Sequence, residues 1–515
     1  MLVKTYCAAV NGLEVTTVTV EVSITRGVLF HLTGWGDAAV KESHDRIAAA
    51  LLNNGYKIPV ADITINLSPA DIRKEGSSYD LPLAIGILAA NEKMKADRLG
   101  NYMLVGELGL DGRLQPIRGA LPIAIKARAE KFKGLIVPKQ NEREAAVVNN
   151  LEVYGMESIA EVINFLNDKS QPEPCFVDTR KEFYEQQYNN EIDFADVRGQ
   201  ENVKRALEVA AAGGHNLIMI GPPGSGKSMM AKRLPGILPP LSLAESLETT
   251  QIHSIAGKTG KETTLIAQRP FRSPHHTISQ VALIGGGNNP QPGEISLAHN
   301  GVLFLDEMPE LPRSVLEVLR QPLEDRRISI SRAKYTIEYP CSFMLVASMN
   351  PCPCGYYGDP THNCVCTPGQ IQRYMNKISG PLLDRIDIQV EITPVPFKDI
   401  SKAQPGEPSE KIRERVIAAR NIQTERFKNI KGVYCNAQMT ERMIHLFAEP
   451  DEQGLNLLRM AMERLKLSAR AYNRILKVAR TIADLAGSEK VQAMHIAEAI
   501  GYRNLDRGDW AERGI

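Results

Sequence analysis

The residues best suited to chemistry lie in one short loop: Gly221, Pro222, Pro223, Gly224, Ser225, Gly226, Lys227 and Ser228. An apolar run at 215–220 precedes this loop, and a helix-forming stretch at 229–233 follows it. Glycines let successive backbone N–H groups close around phosphates, and the start of a helix adds positive potential. The final lysine and serine are placed to reach the β- and γ-phosphates and a Mg²⁺ ion. The complete pattern predicts a nucleoside triphosphate site rather than a chance glycine-rich turn.

Carboxylates for the same chemistry follow a second apolar run, at 301–305. Asp306 and Glu307 come at the carboxyl end of this predicted strand, where open α/β sheets bind their ligands. Asp306 is expected in the Mg²⁺ shell, and Glu307 is expected to polarise the attacking water. A third predicted strand, at 342–350, ends on Asn350, which could contact the γ-phosphate or the water; Ser348 is the alternative.

Four of the eight cysteines crowd into one short segment: Cys352, Cys354, Cys364 and Cys366. Two pairs of soft ligands suit tetrahedral Zn²⁺, although the C-x-C spacing is shorter than the usual C-x-x-C. His362 could replace one thiol, Cys341 lies nearby, and a loop with unligated thiols is the alternative. We predict a structural, non-catalytic zinc site that braces the loop between Asn350 and Arg385.

The composition sets limits on the chain as a whole. Its 515 residues are too many for one core, so two to four domains are expected. The 61 Lys and Arg residues nearly cancel the 60 Asp and Glu residues, so any nucleic-acid surface must be local. We find no signal-peptide pattern, and the longest apolar run, 81–90, is too short to span a membrane. Because cysteines without an export signal indicate a reducing compartment, we predict a cytoplasmic protein without membrane contact.

Residues 1–168 alternate short β-branched strands, at 16–24, 63–67 and 135–138, with helical stretches at 38–54 and 81–90. Segments 74–78, 106–119 and 137–142 resemble the proteolytic domain of Lon-type proteases, which implies an α+β fold of the ribosomal S5 domain 2 type. That family uses a serine–lysine dyad. Ser78 lies near the nucleophile's position, but Leu121 occupies the expected lysine position and Lys126 lies a turn or more away. We therefore expect a Lon-like fold without peptidase activity, serving as an oligomer scaffold or partner platform.

A linker is predicted at 169–190, and an α/β nucleotide domain at 191–397 with a cysteine-rich insert at 352–366. The phosphate loop, the Asp-Glu pair and segment 193–212 resemble AAA+ ATPases, a group of P-loop NTPases in which such a segment borders the adenine and Asn350 matches sensor 1. Residues 380–388 resemble the arginine-finger segment of the magnesium-chelatase and MCM-type branch. That resemblance implies that Arg385 acts in trans on a neighbour's γ-phosphate, a charge worth roughly 10³–10⁵ in rate. Pairing of Arg385 with Asp384 or Asp387 is the alternative.

The 79 positions from Lys227 to Asp306 exceed a plain phosphate-loop core. The additional length includes Arg269 and Arg272 and resembles the helix-2 insert of the same branch, which projects toward the ring pore. This resemblance makes the two arginines candidate DNA contacts. The adjacent histidines at 275–276 are a weaker candidate for a metal pair, because neighbouring side chains generally diverge.

Residues 326–337 alternate around a basic turn and predict a β-hairpin in the position of the pre-sensor-1 hairpin. Its tip residues, Arg332 and Lys334, are candidate phosphate contacts for a strand threaded through the pore. A solvated hairpin end is an equal alternative.

The pattern is wholly helical from about Ser409, and the predicted domain at 398–515 resembles the helical lid of AAA+ proteins. Thr440 and Ser468 are candidate N-caps. The resemblance implies that Arg470, at the start of the sensor-2 helix, contacts the γ-phosphate. Residues 410–480 contain 15 Lys and Arg against 8 Asp and Glu, which fits either a solvated face or the border of a nucleic-acid path.

Nearly the whole chain resembles the ComM/YifB family of bacterial proteins. The resemblance implies a homo-hexameric ring that uses ATP and Mg²⁺ to drive branch migration of single-stranded or branched DNA, including in natural transformation. A protein-remodelling ATPase like magnesium chelatase is the second hypothesis, and an ATP-dependent protease, weakened by Leu121, is the third.

Overall fold

The computed structural model describes residues 2–187, 192–260, 264–287, 290–332, 335–359, 362–394, 406–465 and 467–503, apart from the side chains of 332–335. These residues form an N-terminal α/β domain, a second domain around a parallel sheet, and a C-terminal group of helices. The mixed α/β class predicted from the sequence is confirmed. Within the described ranges, no helix has the length and apolar character needed to cross a membrane.

A seven-stranded mixed sheet, in the order β3-β4-β2-β1-β5-β8-β9, is the centre of the N-terminal domain. Its strands are β1 (Leu2–Asn11), β2 (Glu14–Thr25), β3 (Phe30–Thr33), β4 (Asp62–Ser68), β5 (Tyr102–Leu104), β8 (Gly134–Pro138) and β9 (Glu152–Met156), and β6 (Glu107–Leu108) pairs separately with β7 (Leu114–Gln115). In β2 the β-branched side chains alternate, so Val18, Val20 and Val22 are buried while the residues between them are only partly covered.

Seven helices belong to this region: α1 (Ala38–Lys41), α2 (Ser43–Asn53), α3 (Asp80–Ala90), α4 (Ala120–Ala129), α5 (Glu142–Ala146), α6 (Ile159–Leu166) and α7 (Thr179–Gln186). Helix α3 is buried along its whole length against β1 and β2, as its apolar sequence after Asp80 requires, and the buried Asp80 pairs with Arg46 at 2.8 Å. The helix predicted at 38–54 is interrupted at Glu42, whose N–H closes the end of α1 on the carbonyls of Ala38 and Val40.

The second domain is built on a five-stranded parallel sheet in the order β11-β14-β17-β10-β18. Its strands are β10 (Leu217–Ile220), β11 (Phe271–Arg272), β14 (Val302–Leu305), β17 (Met344–Met349) and β18 (Ile388–Glu391). Helices cover both faces, so β10, β14 and β17 are continuous buried apolar runs. Because the strands are parallel, all their carboxyl ends lie at one edge and all their amino ends at the other.

The other elements of this domain are α8 (Glu201–Gly213), α9 (Lys227–Arg233), α10 (Leu243–Ile255), α11 (Gln280–Ile284), β12 (Gly285–Gly286), β13 (Gln291–Pro292), α12 (Glu294–Leu297), α13 (Arg313–Glu317), α14 (Arg320–Asp325), β15 (Arg327–Arg332), β16 (Tyr335–Pro340), α15 (Pro368–Met375) and α16 (Gly380–Leu383). Strands β15 and β16 pair antiparallel, from Arg327 opposite Pro340 to Arg332 opposite Tyr335. The hairpin predicted from sequence alternation is therefore confirmed.

The described residues from 406 onward form five α-helices: α17 (Ser409–Phe427), α18 (Glu441–Phe447), α19 (Glu452–Leu465), α20 (Ala469–Leu485) and α21 (Ala493–Gly501). The Ser468 hydroxyl accepts a hydrogen bond from the Ala471 N–H and caps α20 as predicted, whereas Thr440 makes no side-chain cap. Helices α17 and α20 pack on α8. The group therefore sits against the side of the parallel sheet that α8 covers.

The segment predicted as a linker, 169–190, contains helix α7 and packs on both neighbouring domains. Phe183 of α7 is buried in the N-terminal core, and the Gln187 amide donates to the Leu241 carbonyl of the second domain at 2.8 Å. Helix α10 also docks on the N-terminal domain, since the Ser254 hydroxyl donates to the buried Glu144 carboxylate. The described part of the segment, 169–187, therefore contacts both domains through Phe183 and Gln187.

Candidate nucleotide site

The predicted phosphate loop lies between β10 and α9, at the carboxyl edge of the parallel sheet. The Lys227 ammonium is nearly buried and donates to the carbonyls of Gly221 and Pro222 at 2.7 and 2.8 Å. Burial lowers the pKa of Lys227, while the carboxylates of Asp306 and Glu307 act in the opposite direction. Within the loop, the partners of this cation are two neutral carbonyls, which a phosphate can replace.

The residues predicted to hold Mg²⁺ are in contact with each other. The Ser228 hydroxyl donates to Asp306 Oδ2 at 2.7 Å, across the edge from α9 to the end of β14. A hydroxyl and a carboxylate beside a phosphate loop are the oxygen ligands that Mg²⁺ prefers. These two side chains therefore fit the ion.

Ser348 and Asn350, the two alternatives at the end of β17, occupy different places. The Ser348 hydroxyl is buried and hydrogen-bonds both to Asp306 Oδ1 and to the Glu307 backbone N–H, the latter at 3.1 Å. Asn350 instead accepts a hydrogen bond from the Lys227 ammonium at 3.3 Å. Of the two, Asn350 is thus the residue beside the lysine of the phosphate loop, and Ser348 supports the Asp306 carboxylate and the Glu307 backbone.

Glu307 is half exposed, with 51% of its side chain accessible, and its backbone is left-handed at φ 49°. Its carboxylate lies 3.6 Å from the Nδ1 atom of His276, a neighbour that the sequence did not indicate. The rings of His275 and His276 do not diverge as expected but lie 4.1 Å apart. Among the described residues, the group of three or more possible ligands with metal-binding geometry is the four cysteines.

Arg385 lies at the opposite, amino-terminal edge of the sheet. Its carbonyl accepts a hydrogen bond from the side chain of Asn216, which immediately precedes β10, at 3.0 Å. The phosphate loop follows the other end of this four-residue strand. At about 3.3 Å per residue, β10 separates the two by about 13 Å, more than the length of an arginine side chain. Arg385 therefore cannot reach the phosphate loop of its own chain in this conformation.

The Arg385 guanidinium is 13% exposed and pairs with Glu324, and it also donates to the Pro381 carbonyl. The alternative pairings with Asp384 or Asp387 are thus replaced by a residue far away in sequence. Its Nε atom is buried and has no hydrogen-bond partner in the described structure.

Arg470 lies beside Arg385 and not beside its own phosphate loop. Its guanidinium is 71% exposed and pairs with Asp384 at 2.9 Å. Arg385, Arg470 and Lys477 together line a cavity of about 180 Å³ at the amino edge. The two arginines assigned by resemblance to a γ-phosphate are therefore neighbours on one surface.

A buried network of charges that the sequence analysis did not predict anchors the amino edge. Asp387, 1% exposed, accepts from Arg474 at 2.7 Å and contacts His215 Nδ1 at 3.1 Å. The other nitrogen of His215 contacts Thr481 at 2.8 Å. Burial opposes ionisation of Asp387, but Arg474 and His215 outweigh it and hold its pKa well below the usual range. The network ties α20 to the start of β18.

Arg269 and Arg272, the insert arginines predicted to contact DNA, both have partners within the chain. Arg269 is largely buried, donates to the carbonyls of Pro239 and Asn300, and lies 3.4 Å from Glu245. Arg272 makes a two-pronged pair with Glu294 at 2.6 and 2.7 Å. Both guanidinium groups therefore make their contacts within the chain, and DNA contact by these two arginines stays a prediction. Lys334 and the Arg332 side chain lie outside the described residues.

Three residues bear on the serine–lysine dyad: Ser78, Leu121 and Lys126. Leu121 is fully buried in α4, and Lys126 pairs with Glu130 at 2.9 Å on the partly exposed side of the same helix. Ser78 is partly covered, and its carbonyl accepts from Gly106 at 3.0 Å.

Comparisons with known proteins show sequence similarity in all three parts of the chain. The chain matches "Subunit ChlI of Mg-chelatase" over residues 20–141, "Magnesium chelatase, subunit ChlI" over 193–400, and "Magnesium chelatase, subunit ChlI C-terminal" over 406–503. It is also 32% identical over 145 residues to Lon protease 2 of Bacillus subtilis, covering 28% of this chain and 26% of that protein.

Two relatives extend over almost the full length. The chain is 44% identical over 504 residues to the competence protein ComM of Haemophilus influenzae, covering 98% of this chain and 97% of the relative. It is equally similar, 44% over 504 residues, to YifB of Escherichia coli, covering 97% and 96%. With these relatives and with magnesium chelatase matches in each of its three parts, the chain belongs to the ComM/YifB family of magnesium-chelatase-like AAA+ ATPases.

Proposed function

We propose that the protein is an ATP-driven ring motor that acts on DNA and promotes branch migration of recombination intermediates, including those of natural transformation. The observation that carries the proposal is the separation of the site's residues. The phosphate loop lies at one edge of the parallel sheet, while Arg385 and Arg470 lie at the other. A chain with both halves at opposite edges completes a site only with a neighbour, as in a head-to-tail ring.

ATP and Mg²⁺ are the cofactors of this proposal. Ser228 and Asp306 hold the ion, which neutralises charge on the β- and γ-phosphates. Lys227 moves from the carbonyls of Gly221 and Pro222 to the phosphates, and the pKa lowered by burial rises again once a dianion lies beside it. Glu307 orients the attacking water, and Asn350 contacts either this water or the γ-phosphate.

Arg385 and Arg470 of the neighbouring copy supply positive charge next to the phosphate oxygens on which negative charge develops in the transition state. The orphaned Nε of Arg385 supports this role, because a buried donor without a partner is costly unless another state uses it. The accessible guanidinium of Arg470 supports it too, since its pairing with Asp384 leaves donors free at the surface.

DNA enters the proposal through the relative named a competence protein and through the hairpin β15–β16. The hairpin carries the basic tip at Arg332 and Lys334. Basic side chains on a loop that lines a ring pore would bind the phosphates of a threaded strand.

The test is ATP hydrolysis by the full chain with single-stranded, duplex and four-way-junction DNA. We expect stimulation by branched or single-stranded DNA that is lost when Arg332 and Lys334 are both changed to Glu. Arg327→Glu, at the base of the same hairpin and paired at the surface with Glu338 at 3.7 Å, is the matched control and should retain stimulation. If none of these DNA substrates changes the rate of ATP hydrolysis, a protein-remodelling role is favoured instead.

We propose that the N-terminal domain, 1–168, is a platform without peptidase activity, followed by the ATPase core at 191–397 and the helical lid at 398–515. The buried Leu121 and the docking of α10 through Ser254 and Glu144 support a scaffold role. Residues 395–405 and 504–515 lie outside the described structure. ATP-stimulated casein cleavage that depends on Ser78 would contradict the platform role.

A further inference from the structure

The four clustered cysteines have sulfur positions that suit one metal ion. Cys352 Sγ lies 3.3 Å from Cys354 Sγ and 3.7 Å from Cys364 Sγ, and the latter two are 3.6 Å apart. With Cys366, all four sulfurs fall within 4.8 Å of one another. Tetrahedral Zn²⁺ with bonds of about 2.3 Å places sulfurs about 3.8 Å apart, whereas a disulfide requires about 2.05 Å. The geometry matches a shared ion and not a pair of disulfides.

The other candidate ligands lie elsewhere. His362 stacks on Tyr356 and lies 3.4 Å from the Asp359 carboxylate. Cys341 directly follows β16 and is fully buried, and this burial raises the pKa of its thiol to about 12. Four thiolates without an open position make a closed site, which is structural and not catalytic.

This cluster lies directly against the phosphate loop. Gly355, the residue after the second cysteine, has φ +87°, and a Cβ atom there would lie 2.7 Å from Pro223 Cδ. Its N–H donates to the Cys352 carbonyl at 3.0 Å, so the ligand turn itself is the surface on which the loop's proline rests. Moving the ligand turn would move one wall of the phosphate cradle.

The cluster also brackets Asn350, the residue at the phosphate position. Asn350 lies two residues before the first ligand and contacts Lys227. Directly after the last ligand, Thr367 caps helix α15, and the Tyr374 hydroxyl of that helix is hydrogen-bonded to the Asn350 backbone. The segment thus leaves β17 at Asn350, closes through the four sulfurs, and returns to the same residue.

We propose that the four cysteines bind one Zn²⁺ ion that positions Pro223 and Asn350 for ATP binding and hydrolysis. This inference rests on the proposed ATPase function and assigns the metal to the same site. Gly355 and the ligand turn are positioning elements, since they act on the nucleotide only through Pro223 and Asn350.

The first experiment measures metal in the purified full-length chain by mass spectrometry. We expect about one zinc per chain, lost in the Cys354→Ser/Cys366→Ser variant and retained in Cys175→Ser, which changes a thiol in the N-terminal region. The zinc-free variant should lose at least tenfold in ATP turnover. Absence of zinc from the unaltered protein, or iron in its place, would overturn the assignment.

The second experiment separates positioning from folding by comparing two glycines of the same loop. Gly355 and Gly358 have φ +87° and +77°, so alanine is similarly strained at both positions, but at Gly358 a Cβ meets nothing within 4 Å. We expect Gly355→Ala to keep its zinc while its affinity for ATP falls about tenfold or more, and Gly358→Ala to keep both. Equal ATP affinity in the two variants would contradict the contact between cluster and loop.

Both measurements are made without DNA. If zinc and ATP bind as expected but DNA never stimulates hydrolysis, the DNA part of the proposed function fails and the zinc inference stands. If DNA stimulates the unaltered protein and the zinc-free variant hydrolyses ATP at the full rate, the inference fails and the motor stands.

Discussion

The two edges of the parallel sheet carry different kinds of side chains with different partners. At the carboxyl edge, short side chains contact one another directly, and the lysine donates only to the loop's carbonyls and an amide. At the amino edge, arginines are paired with Asp384, Asp387 and Glu324, and a buried network holds the surface in place. The first edge is arranged to receive a ligand with its own charge, and the second to present charge outward. This difference is what the proposed ring requires, since it places each nucleotide between two copies of the chain.

The largest effect that tests this division is the loss of Arg385. Its guanidinium would stabilise charge on a neighbour's γ-phosphate, so Arg385→Ala should reduce the turnover of assembled protein by about 10³–10⁵-fold. The affinity for ATP should change little, because the loop of the same chain is intact. Steady-state kinetics with a separate nucleotide-binding measurement checks both expectations.

Mixing variants gives the sharper form of this test. Lys227→Ala disables a chain's own loop but keeps its amino edge, and Arg385→Ala does the reverse. In mixed rings of equal amounts, about a quarter of the interfaces combine an intact loop with an intact arginine. Activity should therefore reappear on mixing two nearly inactive proteins, and its absence in verified mixed assemblies would place both halves of the site within one chain.

The anchoring of the amino edge should appear in stability. Asp387→Asn leaves Arg474 and His215 without their buried counter-charge and should cost about 3–5 kcal/mol in the free energy of unfolding. The folded pKa of Asp387 lies below the unfolded value of about 3.9, so its contribution is present above about pH 4 and is lost as the pH falls further. Urea denaturation at pH 7 and below pH 4 should show a difference between the two proteins that shrinks in acid.

The sequence predicted the carboxyl edge far better than the amino edge, for a physical reason. Three parts of the site come directly after buried strands: the phosphate loop, Asp306 and Asn350. Local sequence patterns therefore place them at the carboxyl edge of the sheet. The partners at the amino edge are distant in sequence: Arg385 meets Glu324, and Arg470 meets Asp384. The spacing of apolar residues in α20 predicts a helix, but it does not indicate which carboxylate the first turn of that helix will face. The contact of Phe183 with the N-terminal core is equally distant in sequence, and the local polar pattern around it did not indicate it.

A smaller effect is expected from Ser348, which the sequence offered only as an alternative to Asn350. Its hydroxyl bonds both Asp306 and the Glu307 backbone, so Ser348→Ala removes a hydrogen bond to a charged group worth about 1.5–3 kcal/mol. We expect about 10–100-fold lower turnover, with part of the loss recovered at high Mg²⁺ if Asp306 is the ligand that shifts. Ser342→Ala, before the same strand, is the control and should turn over ATP normally. A Ser348→Ala protein with full activity would show that the carboxylates need no support from β17.

The smallest effect on the fold, and the clearest contrast between the edges, belongs to Arg470. An ion pair as exposed as Arg470 with Asp384 contributes about 0.2–1 kcal/mol to stability, because water screens the charges and both side chains lose freedom. Arg470→Ala should therefore unfold almost as the unaltered protein does. If the residue faces a neighbour's nucleotide, the same variant must still lose turnover in assembled protein. Asp384→Asn provides the matched control, since it breaks the same pair while keeping the guanidinium. A residue that matters little to its own chain and much to the assembly is one whose partner lies on the next copy. Equal activity of Arg470→Ala and Asp384→Asn would instead limit Arg470 to the surface pair.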